Sequence, residues 1–390
     1  MNHAGHRTLA LALLLLCTCV RAQTTLRGSL TDETTGEPVG FATVYLDGTS
    51  RGTTSDDAGR FVLDRVVLPA ALVVSHLNYE TVTLALTDGS AVTQPLALRL
   101  TPREETLTSV SVSDANGRAK NVAEFRKRLL GPRAWADRCE LRNDGVLVFD
   151  RDYDRDTVRV PNAARRAQLR QRQHRGASWN ADSSRYAFRR ARNLSVRTRG
   201  PLTVTLPHLG YVLRADYQSF LIDYDSGRTA YLGSYFFEPV VRPTRRQLAN
   251  RRLAYLGSAM HFARALTAGT LTENGFRVYE VVRGEAGVER TTEYDLRQHL
   301  RPNGEQGHVL IGLAGREFVV LYYADARFRP LPKAKWRRTE PVQSSLFVDG
   351  NRCLIYPGGV YGDALLAFGG DIGSRGLAYT LPREYVYDGR

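Results

Sequence analysis

The chain has 390 residues, 54 Lys and Arg against 40 Asp and Glu, and a formal net charge of +14. That length is ample for two domains, and beyond the first 22 residues no apolar run approaches the ~20 residues that a membrane-spanning helix needs. Only four of the basic residues are lysines (Lys120, Lys127, Lys333 and Lys335), so the arginine excess is as readily a nucleotide-composition bias as a binding adaptation.

Residues 1–22 read as a secretory signal peptide. Arg7 charges its start, residues 9–16 are an apolar run, and Val20-Arg21-Ala22 offers a small-residue cleavage site before Gln23. A lipoprotein signal through Cys17 or Cys19 is the weaker alternative, because Leu16 is too large for the position before Cys17. Removing the leader leaves two cysteines, Cys139 and Cys353. In an oxidising compartment they form either a disulfide or two separate buried thiols, and both readings stand.

Residues 23–101 have the pattern of an all-β sandwich: short alternating apolar runs between turn residues. Strands are expected at residues 26–30, 41–46, 61–63, 72–76, 81–86 and 96–100, with turns at Gly36, Asp47-Gly48 and Asp56-Asp57-Ala58-Gly59. Gly28, Asp32, Thr35-Gly36-Glu37-Pro38, Ala42-Thr43-Val44, Gly48-Thr49, Gly52-Thr53, Asp56, Gly59 and Phe61 fall in the register of a known family. On these positions the segment resembles the carboxypeptidase-regulatory-like domain, a transthyretin-like or Ig-like β-sandwich found beside carboxypeptidase catalytic domains and at the N-termini of outer-membrane transporters. The likeness covers about a fifth of the chain and constrains fold more than function. The catalytic half is not evident. None of the eight histidines is followed by Glu at the third position, and there is no His-Glu-x-x-His helix.

A polar linker is expected over residues 102–120, and residues 121–390 read as a larger β-rich α+β domain, so the whole chain is mainly β. Residues 122–130 have a helical pattern stopped by Gly131-Pro132. Asp150, Asp152, Asp154 and Asp156 alternate like a calcium loop but lack its glycine and its glutamate, which favours a solvated hairpin turn. Residues 159–199 hold Arg165, Arg166, Arg170, Arg172, Arg175, Arg189, Arg190 and Arg192, the densest basic stretch. It suits a surface polyanion or a solvated loop; nucleic acid is disfavoured, because few aromatics interleave.

Residues 209–240 read as an antiparallel hairpin turning at Asp225-Ser226-Gly227. Tyr211, Leu213, Ala215 and Tyr217 share one parity, and the sequence from Ser219 to Tyr224 continues it. The block resembles one that recurs in uncharacterised secreted envelope proteins of Gram-negative bacteria carrying the same N-terminal domain. Its tyrosines, Tyr211, Tyr217, Tyr231 and Tyr235 above all, are either a ligand-stacking platform or a core face, with core preferred. Residues 244–268 read as one prominent amphipathic helix. Thr244 and Gln247 form a capping box, Ala249, Leu253, Leu256, Met260, Ala263 and Leu266 a stripe, and Gly269 the stop. His261 beside the stripe suits packing better than proton transfer. Strands resume at residues 276–282, 308–313, 317–323, 345–348 and 353–356, with a tight turn at Asp349-Gly350-Asn351.

No catalytic, metal or cofactor motif is present. Ser234 and Ser258 stay open as nucleophiles, although no Gly-x-Ser-x-Gly elbow occurs. Three functions are therefore expected in order: a non-catalytic exported envelope protein, its sandwich an adaptor and its larger domain a binding surface for a glycan, a peptide or an envelope protein; an accessory to a TonB-type outer-membrane uptake system; and a secreted hydrolase. The location expected is periplasmic or associated with the outer membrane, and the oligomeric state stays open.

Overall fold

The structure, a computed structural model, describes residues 24–87, 89, 93–103, 115–132, 134–160, 162–171, 178–179, 185–284, 287–304, 307–348, 350–356, 358–362 and 366–389. The leader, most of the linker, Arg172, Arg175 and Asp349 lie outside the described residues. Strand outweighs helix, 46% to 21%, which makes the fold mainly β. Two compact units divide the chain: Met1–Asp47 with Arg51–Arg103, and Gly48–Ser50 with Glu104–Arg390.

The first unit is a sandwich of two sheets. One holds β4 (Arg60–Val66), β1 (Thr24–Asp32) and β7 (Leu96–Leu100), and the other β3 (Gly52–Thr54), β2 (Thr43–Leu46), β5 (Ala70–Ser75) and β6 (Val82–Leu86), in those orders. β1 runs parallel to β7 and antiparallel to β4. Leu26, Leu30, Val44, Phe61, Leu63, Leu72 and Val74 fill the space between the sheets. Gly28 is needed there, because a Cβ on it would stand 2.5 Å from the Phe61 ring. The turns are built by aspartates. Asp32 accepts the Thr34 and Thr35 N–H groups, and Asp56 those of Ala58 and Arg60. These bonds to the charged form hold both carboxyls below their ordinary range.

The second unit has two hydrophobic cores. The first lies under α1 (Ala115–Leu130) and a sheet of β8 (Glu140–Leu141), β9 (Leu147–Arg159), β10 (Ser178–Trp179), β11 (Arg185–Thr198), β12 (Leu202–Leu206), β13 (Tyr211–Asp223) and β14 (Thr229–Pro239). A short helix, α2 (Ala163–Gln171), follows β9. The acidic run is not a turn. It lies in β9, paired with β11 from Leu147↔Thr198 to Arg159↔Arg185, with Asp154 directly opposite Arg190. β11 meets β13 only from Asn193 to Val196, and beyond that point the β9–β11 ribbon leaves the body of the sheet.

The long helix expected over residues 244–268 is two helices, α3 (Arg245–Tyr255) and α4 (Ala259–Thr267). Thr244 and Gln247 form the capping box, and Gly269 at φ +72° follows the end of α4. Between them Gly257 takes φ +70°, a left-handed conformation that a helix interior cannot hold. The break has a purpose in packing. Ala254, Tyr255 and Leu256 belong to the first core, whereas Phe262, Ala263, Ala265 and Leu266 belong to the second. Ala249, on the expected stripe, is exposed.

The second core is enclosed by two more sheets. One orders β16 (Gly287–Glu293), β15 (Phe276–Gly284), β19 (Glu317–Tyr322), β20 (Val342–Val348) and β23 (Leu366–Phe368). The other orders β17 (Leu300–Pro302), β18 (His308–Ile311), β21 (Arg352–Tyr356) and β22 (Val360–Gly362). The last helix is the single turn α5 (Gly370–Gly373). No described helix is long and apolar enough to cross a membrane.

Candidate functional site

The β13–β14 hairpin is where the sequence places an aromatic surface, and the structure divides that surface in two. Tyr211 and Leu213 point into the first core and Ala215 and Tyr217 follow, but the parity does not continue through Ser219. A bulge between Tyr217 and Ser219 inserts an extra residue, so Phe220 and Ile222 face inward instead, and Gln218 and Ser219 are exposed. Tyr217 is 1% exposed and Tyr211 6%. The Tyr217 ring meets those of Phe125, Phe220, Tyr231 and Tyr235 edge-on, at centroid distances of 5.5 to 6.1 Å. Burial pushes the phenols of Tyr217 and Tyr235 far above their ordinary value. Of the four tyrosines, then, Tyr211 and Tyr217 are core, Tyr235 is half-buried, and Tyr231 alone is largely exposed, at 57%.

Tyr231 is held from behind. Its ring lies nearly parallel to Phe220, with centroids 5.9 Å apart and planes 12° apart. Leu232, next in β14, is also exposed, but it pairs with Ser219 and points to the opposite face. The surface is thus one braced ring rather than a row of four rings.

The two cysteines do not pair. Cys139 sits in the first core and Cys353 in the second, both as buried thiols outside any disulfide. The Cys139 thiol donates to the Trp135 carbonyl at 3.3 Å, and burial pushes it up to about 12. A thiol so protonated is a poor nucleophile.

The two serines left open as nucleophiles have other surroundings. Ser258 caps α4, its Oγ accepting the His261 N–H at 3.1 Å. Ser234 is buried in register opposite Asp216. His261 is buried among Tyr255, Phe276 and Tyr322. Its Nδ1 accepts the Gly257 N–H at 3.0 Å, so its Nε2 carries the proton and donates to Asn274 Oδ1 at 3.0 Å. Burial lowers the ring to about 4 and keeps it neutral.

Two polar clusters carry no signal in the sequence, since their members are scattered. In the first, Arg375 is buried beside the break at Gly257. It pairs with Asp371 and donates to the carbonyls of Ala254 and Leu256, which end α3. In the second, His299 Nδ1 donates to the Ile311 carbonyl at 2.8 Å, leaving Nε2 to accept from the Tyr294 hydroxyl at 2.7 Å. Arg316 in turn donates to that hydroxyl at 2.8 Å, pairs with Glu280 and covers the Tyr294 ring. Each group is spent on another member, which ties β15 to the chain that follows β16.

In the Arg-rich stretch, Arg190 reaches Asp225 at 2.7 Å and Asp156 at 3.7 Å, and Arg192 reaches Asp154 at 3.9 Å. Arg189 lies over the Tyr153 ring. Nearby acids thus pair with two of the arginines of β11.

No curated protein matches the chain. Among solved structures, it is similar to a Bacteroides fragilis protein of unknown function, at 12% identity and a TM-score of 0.17 over 56% of this chain and 98% of that one. A family profile described as the CarboxypepD_reg-like domain matches residues 26–112. The N-terminal domain of this protein is therefore a CarboxypepD_reg-like β-sandwich.

Proposed function

We propose that the protein is an exported, non-catalytic binding protein of a Gram-negative cell envelope. The CarboxypepD_reg-like sandwich serves as its adaptor and the second unit as its contact surface. The leader read over residues 1–22 supports export, and the N-terminal domain supports an adaptor role by analogy of fold. The observation that carries the reading is Tyr231, exposed on β14 yet braced against Phe220. A ring already held in place loses little conformational freedom when a ligand stacks on it. A glycan ring, flat and apolar on one face, fits that surface.

The test is retention on an array of envelope glycans, comparing the protein with Tyr231→Ala and with Leu232→Ser as a control on the opposite face. Expected is a loss of about tenfold in apparent affinity for Tyr231→Ala at a stability cost of no more than about 1 kcal/mol, as suits one exposed aromatic contact. Unaltered retention by Tyr231→Ala would sink the assignment of this surface.

A further inference from the structure

The basic stretch that stands out in the sequence, residues 159–199, has ion pairs at Arg190 and Arg192, and a second basic stretch lies further along the chain. Residues 327–338 carry Arg327, Arg329, Lys333, Lys335, Arg337 and Arg338, and two of the four lysines of the whole chain are among them. All six are exposed. Arg329 pairs with Asp325 at 2.7 Å. The other five have no ion-pair partner among the described residues; Lys333 feels Glu293 at longer range, and that carboxylate is bonded to Arg277.

A run of like charges is ordinarily a loose, solvated segment. This one is pinned. Lys333–Arg338 is a single 3₁₀ helix wrapped around Trp336, which is 6% exposed. The indole lies flat on Tyr323, with centroids 4.5 Å apart and planes 5° apart, and its Nε1 donates to the Leu331 carbonyl at 2.8 Å. The Lys335 N–H bonds to the Pro332 carbonyl, and the Thr339 hydroxyl donates to the Lys335 carbonyl. With three residues per turn, Lys335 and Arg338 stand one above the other and Arg337 lies to one side. The aromatic rings face inward and the cations outward.

We propose that this knob docks the protein on the phosphate-bearing surface of an anionic membrane. Its partner is recognised by charge alone. Trp336 and Tyr323 are buried, so no ring is offered here to stack a sugar or a base. Lysine ammonium groups act as point charges without a fixed bonding geometry, and they suit a field of headgroups better than one shaped ligand. Several cations on an exposed turn can all approach a plane of headgroups at once, each raising partitioning roughly fivefold while the field lasts within a Debye length. The inference is independent of the Tyr231 surface.

The experiment is cosedimentation of the purified protein with phosphatidylcholine vesicles, with and without about a third phosphatidylglycerol. Binding is expected only to the anionic vesicles, and it should disappear in ~0.5 M salt. The variant Lys333→Gln/Lys335→Gln/Arg337→Gln/Arg338→Gln should lose partitioning about 600-fold. Arg189→Gln/Arg190→Gln, on the β9–β11 ribbon, should bind as the parent does. Near-ultraviolet circular dichroism of the stacked Trp336 reports whether the knob is intact. If the quadruple variant disturbs it, Lys335→Gln/Arg338→Gln takes its place, with a loss of about 25-fold. Equal binding to neutral vesicles, full binding by a folded knob variant, or an equal loss in the ribbon variant would overturn the proposal. So would capture of inorganic polyphosphate without capture of vesicles, which would make the partner a soluble polyanion.

Discussion

Arg375 and Arg190 each lie within hydrogen-bonding distance of an aspartate, at 3.1 Å from Asp371 and 2.7 Å from Asp225, yet the two pairs do different work. The Arg190 pair is about half exposed on both sides, on a ribbon that has left the sheet, where water screens the attraction and competes for both groups. The Arg375 pair is buried, and its guanidinium also closes the last turn of α3 at the place where the chain passes from one core to the other. Burial, not distance, decides what such a pair is worth. Removing one partner of a buried pair leaves a charge without water, which costs far more than the pair itself contributes.

The sharpest break of this comparison is Arg375→Ala. It should destabilise the second unit by ~3–5 kcal/mol in urea unfolding, because Asp371 and two carbonyls lose their donor together. A cost below ~1 kcal/mol would show that the joint at Gly257 does not depend on the pair. Tyr217 and Tyr231 extend the contrast to uncharged groups whose rings are 6.1 Å apart. Tyr217→Ala should cost ~3–5 kcal/mol as a deleted core aromatic, and Tyr231→Ala no more than about 1. Similar losses for both would put Tyr231 in the core and remove the ligand surface.

His261 adds a pH axis to the joint. Its folded value of about 4 is below the ordinary 6.5, so below pH 6.5 the unfolded chain takes up a proton that the folded protein refuses. The associated stability is complete above pH 6.5 and is lost as pH falls toward 4, amounting to about 3 kcal/mol by the linkage relation. Unfolding of the parent and of His261→Gln, compared from pH 7.5 to 4, should show a shallower decline for the variant; parallel curves would refute the neutral, buried assignment. The smallest effect is expected on the ribbon, where Arg190→Gln should change stability by less than about 1 kcal/mol. Thiol labelling closes the set. Cys139 and Cys353 should be inert in the folded protein and both react after denaturation without reductant, whereas a disulfide would react only once reduced.

Much of the first unit was legible along the chain, because its determinants are local. The glycines, aspartate-led turns and alternating apolar runs of residues 24–100 each act over a few residues, and the strands came close to their observed limits. The capping box at Thr244 and Gln247 was legible for the same reason. The single long helix failed at Gly257, since the periodicity on either side is helical and only the presence of two separate cores requires the break. The acidic run in β9 failed as a turn because its neutralising partners, on β11, lie some thirty to forty residues away.

What the sequence by itself determined is the N-terminal sandwich, the mainly-β class and the inventory of chemical groups, all of which follow from short-range pattern and composition. Tertiary structure decided which of those groups is buried, paired or free. It buried Tyr217 and left Tyr231 exposed, put the two cysteines in separate cores, and paired Arg190 and Arg192 with aspartates while leaving Arg337 and Arg338 without an ion-pair partner among the described residues. The reason is physical. Burial and ion pairing depend on distances between residues far apart in the chain, and composition and spacing do not encode them.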